Sequence, residues 1–83
     1  MEGLSHTGTF QYYKKALDSI GSNVHAKLEF DYCGDPQTIY FNGSVPREFR
    51  NDNKTTVYVV CEPIYIYQEF PIYYRIKCIE KID

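Results

Sequence analysis

Eighty-three residues, 43% of them apolar and 17% aromatic, specify one domain with enough apolar mass for a core, which excludes a disordered chain. A formal charge of −2 supplies no field for nucleic acid or an anionic membrane, and no apolar run approaches the roughly 20 residues of a membrane span. Met1–His6 lacks the basic and apolar regions of a secretory leader, and three cysteines without a CxxC suit a reducing compartment. The expectation is a cytoplasmic protein, in the host cytoplasm if the source is viral or phage.

Residues 1–8 read as a flexible lead. From Thr9 to Ile20, Phe10, Tyr13, Leu17 and Ile20 recur at helical spacing, while Gln11, Lys14, Lys15 and Asp18 fall opposite. Thr7 or Thr9 can cap this helix and Gly21 can end it. Val24–Tyr32 alternates without a break: Val24, Ala26, Leu28, Phe30 and Tyr32 on one side, His25, Lys27, Glu29 and Asp31 on the other. That pattern is a strand with one wet face.

Cys33-Gly34-Asp35-Pro36 has turn composition, and Gln37–Gly43 is the returning strand, with Phe30 opposite Ile39 and Leu28 opposite Phe41. Pro46 can open one helical turn through Arg47-Glu48-Phe49 that anchors Phe49 in the core, before a turn at Asn51-Asp52-Asn53. The largest apolar block, Thr55 to Ile82, predicts a long hairpin with its loop at Gln68–Pro71. In that register Cys61 faces Cys78 and Glu62 faces Lys77, with a bulge or break at Pro63. Val57, Val59, Cys61, Ile72, Tyr74, Ile76 and Cys78 then share the inner face.

The predicted fold is α+β: one N-terminal helix packed on a four- to five-stranded antiparallel sheet. Its core gathers Phe10, Leu17, Leu28, Phe30, Ile39, Phe41, Val59 and Ile76. An OB-like small β-barrel with an N-terminal helix is the alternative. Gly43-Ser44-Val45-Pro46-Arg47-Glu48-Phe49-Arg50 and the strand Val57–Cys61 resemble the Gly-x-x-Pro-x-x-Phe-Arg turn of the cytochrome c maturation haem chaperones, which are OB-fold barrels. That family's membrane anchor and haem-attaching histidine have no counterpart here, so the resemblance implies barrel architecture alone.

Neither histidine has a serine or cysteine at motif spacing, no carboxylate pair is set for acid–base work, and no glycine-rich phosphate loop is present. The reading is of no enzyme, no cofactor and no metal; Cys33, Cys61 and Cys78 are expected as reduced thiols. Nine tyrosines exceed what so small a core can hold with every hydroxyl satisfied, so several must reach solvent, where they favour protein interfaces. The chain is therefore expected to be a small protein-binding module, such as a phage- or virus-type inhibitor or adaptor acting on a host protein. Its surface would be the outer face and rim of the long hairpin: Tyr58, Tyr65, Tyr67, Phe70, Tyr73 and Arg75. The alternative is an OB-like single-stranded nucleic-acid binder, with tyrosines stacking bases and basic residues meeting phosphates.

Overall fold

Leu4, His6, Gly8, Phe10 and Tyr12 alternate with Ser5, Thr7, Thr9 and Gln11, a period of two carried by threonines and aromatics that suit a pleated surface. The computed structural model, which describes residues 4–15, 24–65 and 71–82, folds this stretch as strand β1, Leu4–Tyr12. The expected N-terminal helix is thus corrected to a strand, and most of the flexible lead to its beginning. The helical spacing drew half its support from Leu17 and Ile20, which lie outside the described residues. Within Leu4–Tyr12, β-forming side chains and two available partner strands override it.

The other elements are β2 (Val24–Tyr32), β3 (Asp35–Asn42), a single 3-10 turn (Arg47–Phe49), β4 (Thr55–Tyr65) and β5 (Pro71–Lys81). Together they close into a barrel in the order β1-β2-β3-β5-β4. The domain is therefore nearly all sheet, with no α-helix among the described residues, and neither the α+β fold nor a barrel with an N-terminal helix describes it. All ladders are antiparallel except β3–β5, a parallel contact at Phe41 and Tyr74.

β1 makes closure possible because it serves two ladders. Residues 4–10 pair with β4, from Leu4 opposite Cys61 to Phe10 opposite Thr55. Residues 9–12 pair with β2, from Thr9 opposite Glu29 to Tyr12 opposite Ala26. The hand-over falls beside Gly8, where an added Cβ would collide with the Glu29 carbonyl and press on the Phe30 side chain. Two backbones approach there at a distance only glycine permits.

Phe10, Ala26, Leu28, Phe41, Val45, Phe49, Val57, Val59 and Cys61 fill the interior, each at most 5% exposed. Phe10 is the hub, its ring 5.8 Å from both Phe41 and Phe49. Phe30, Ile39 and Ile76 are half-buried against this cluster, and Leu17 is outside the described residues. Phe49 reaches the core from the 3-10 turn, which Arg50 braces by donating from Nε to the Val45 carbonyl at 2.6 Å. Burying each such ring or branched chain contributes about 1.5–3 kcal/mol.

Both hairpin registers differ from expectation. β2 turns into β3 through Cys33 (φ 52°) and Gly34 (φ 87°), the two positive φ values of a tight two-residue hairpin loop. Asp35 and Pro36 belong to the strand, and the ladder shifts by two: Leu28 faces Ile39 and Ala26 faces Phe41. An even shift preserves side-chain parity, so apolar still meets apolar. In β4–β5, Val60 pairs with Cys78 but Cys61 with Ile76, a register shift between Val60 and Cys61, and a second shift falls between Ile64 and Tyr65. Pro63 pairs with Tyr74 between the two irregularities. The extra residue at Lys77 takes Cys78 outward and Ile79 inward, so Cys78 leaves the expected inner face.

Candidate functional site

On the outer face of β4–β5 the alternation that packs Tyr74 on the core turns Tyr73 outward, opposite Ile64. One register step on, Arg75 lies opposite Glu62, donating from Nε to Oε1 at 2.8 Å, with a second guanidinium nitrogen at 2.5 Å. Both contacts converge on the one carboxylate oxygen, which ties the guanidinium to Glu62. Arg75 thus takes the partner role expected of Lys77, because the β4–β5 ladder here lies two residues off the expected register.

Tyr58 is 38% exposed, between Thr7 of β1 and Glu80 of β5. Five residues of strand separate Glu80 from Arg75, roughly 16 Å. The structure therefore brings Tyr73 and Arg75 together and sets Tyr58 apart at the far end of the ladder. Tyr65 lies opposite Pro71 by its backbone, its side chain outside description; Tyr67 and Phe70 fall outside the described residues.

A second surface was not anticipated. Asp31 through Thr38, the distal part of the β2–β3 hairpin, is exposed throughout, with Tyr32 at 66%. Glu29, Phe30 and Asp31 of β2 and Pro36, Gln37 and Thr38 of β3 line a cleft of about 450 Å³. In the ladder Glu29 faces Thr38, Asp31 faces Pro36 and Tyr32 faces Asp35. The sequence signal lay in Cys33-Gly34: as a two-residue loop it makes Pro36 a strand residue opposite Asp31.

Charge on this side is already organised. Lys27 bonds Glu29 at 3.2 Å, and contacts with Tyr13 and then Glu29 push its amine up from the ordinary lysine range. Under the cleft's inner side His6 stacks on Phe30 with ring centroids 4.3 Å apart, and burial pulls the imidazole down from its usual value. His25 holds Nδ1 2.9 Å from the Tyr13 carbonyl, an Nδ1–H donor in the neutral ring.

Cys33 and Cys78 are exposed free thiols; Cys61 is fully buried, and desolvation pushes its thiol up to about 11. Among the described residues no three His, Cys, Asp or Glu side chains converge as a metal site. No helix among them is long and apolar enough to cross a membrane. Comparison with known protein families, with curated proteins and with solved structures finds no match to this chain.

Proposed function

We propose that this barrel is a small non-catalytic protein-binding module that docks through the outer face of β4–β5, around Tyr73 and Arg75, with Tyr58 as an outlying contact. The observation that carries the reading is that Arg75, the cation beside Tyr73, is already held by a carboxylate. Arg75 is bonded to Glu62 and Lys27 to Glu29, and the outer β2–β3 surface presents Glu29 and Asp31. Nucleic-acid affinity comes chiefly from cations neutralising phosphates, and carboxylates in their place repel the strand. A tyrosine beside a held guanidinium suits a protein partner instead, because both offer large contact area at low ordering cost.

The test is affinity capture from lysate with and without nuclease, using wild type and Arg75→Ala side by side. A nuclease-resistant partner is expected, with Arg75→Ala weakening its binding by at least about fivefold, or 1 kcal/mol, at unchanged melting temperature. Recovery that depends on nucleic acid, or a partner indifferent to Arg75→Ala and Tyr58→Ala alike, overturns the proposal.

A further inference from the structure

We infer that His6 is an acid-operated latch on the β2–β3 hairpin: the neutral ring holds the outer half of the hairpin against β1, and the protonated ring releases it. The inference does not rest on the docking face above, and neither test decides the other.

The latch sits at a fork in the sheet. β1 pairs with β2 only from Thr9–Glu29 to Tyr12–Ala26. On the other side of the fork, residues 4–8 of β1 pair with β4, and Phe30–Tyr32 pair with β3. The backbones come closest at the branch itself, where the Glu29 carbonyl lies over Gly8. Two residues along β1 from Gly8, the imidazole of His6 stacks on Phe30, with 4.3 Å between centroids and 28° between planes. It is the ring contact that spans the fork among the described residues. Beyond it Asp31–Thr38 is exposed throughout, with no side-chain hydrogen bond or ion pair to another described residue. A two-stranded ribbon is marginal on its own. Its order therefore depends on its root: Phe30 and Ile39 on the core, and His6 on Phe30.

The surroundings do not welcome a proton on this ring. Leu4 and Gly8 flank it on β1, and Val59 of β4 lies opposite. The titratable groups on the inward side of the surrounding strands are Cys61 of β4, Tyr32 of β2, Asp35 of β3, and Tyr74 and Lys81 of β5. Cys61 stays protonated and uncharged, and Lys81 would only oppose a second positive charge. Glu29 and Asp31 of β2 point to the opposite face. Asp35 lies one ladder pair beyond Phe30–Gln37, opposite Tyr32. Burial is the cause that pulls the imidazole down from its usual value, with no carboxylate contributing. An imidazolium also has two N–H donors to satisfy, and no acceptor among the described residues bonds either nitrogen. Because the folded value lies below 6.5, the stabilisation from the neutral ring is complete above pH 6.5 and is lost as the pH falls below it.

The experiment is NMR of the whole chain from about pH 7.5 to about 5.0, above the carboxylate range. The His6 ring protons are expected to titrate with a midpoint below 6.5. The heteronuclear nitrogen–proton NOE of the amides of residues 31–35, 37 and 38 should fall with the same midpoint, while those of Leu28, Phe41 and Val57 hold. His6→Phe keeps a stacking ring without the proton site, and its hairpin NOEs should not change with pH. If His6→Phe fails to fold, His6→Gln, uncharged throughout the range, serves as the same control, its hairpin NOEs again independent of pH.

A His6 midpoint at or above 6.5 overturns the proposal. So does a hairpin that keeps its order while His6 protonates, or one whose loss of order follows His25 instead. The same pH-dependent loss in the His6 variant overturns it as well.

Discussion

The two long hairpins of the barrel are built on different rules. From Ala26 to Tyr32 the β2–β3 ladder runs without interruption into a two-residue loop, whereas β4–β5 changes register twice. An uninterrupted ladder keeps each side chain on one face, so β2–β3 leaves the barrel as a ribbon exposed from Asp31 to Thr38. Bulges add twist and bend a strand, so β4–β5 wraps the core and exchanges which residues face it. The straight hairpin presents surface; the bent one closes the barrel.

The largest expected effect separates the thiols on either side of the first β4–β5 bulge. Cys61 is buried and protonated far above neutrality, while Cys78 is exposed. At pH 8, iodoacetamide should modify Cys33 and Cys78 readily, and Cys61 at least about a thousandfold more slowly, because it reacts only through opening of the fold. Mass spectrometry of the peptides reads this directly. A protected Cys78 would mean that β5 keeps a single register and that the contrast with β2–β3 is wrong.

Next in size is the core of the straight hairpin. Leu28→Ala should cost about 2–5 kcal/mol in urea unfolding, as truncation of a buried leucine does. Cys78→Ala, on the outward side of the bulge, should stay within about 0.5 kcal/mol. Equal costs would erase the difference in how the two ladders assign faces.

The smallest effect sharpens the comparison at the loop. Cys33 holds φ 52° ahead of Gly34, a conformation that costs an ordinary side chain energy and that asparagine tolerates. Cys33→Asn should add roughly 0.5 kcal/mol, or about 2–4 °C in melting temperature. A lower melting temperature would mean that the loop geometry is not the tight one described.

What could be read from residues alone follows the same contrast. β2 was visible to the residue, because Val24–Tyr32 alternates cleanly and its core face is apolar throughout. Phe49 was visible as an anchor because Pro46 opens a turn before it. β1 was not, since Phe10 and Tyr13 fit a helical repeat as well as a strand and only the positions of β2 and β4 decide between them. The Arg75–Glu62 pair was hidden by a bulge, because side-chain pattern does not mark where an extra residue enters a ladder. The acidic cleft was hidden by a loop two residues shorter than its composition suggested.

β1 also sets the order of assembly. Its Leu4 meets Cys61 and its Phe10 meets Thr55, so β1, which precedes β4 in the chain, completes its ladders only after β4 exists. Most of the entropy of closing the chain must be lost before those contacts return anything, which places this small domain among slow, topology-limited folders. Until then residues 4–10 of β1 lack their β4 partners and one strand edge stays open, and the nascent chain is most exposed to mispairing in the interval before residue 61 appears.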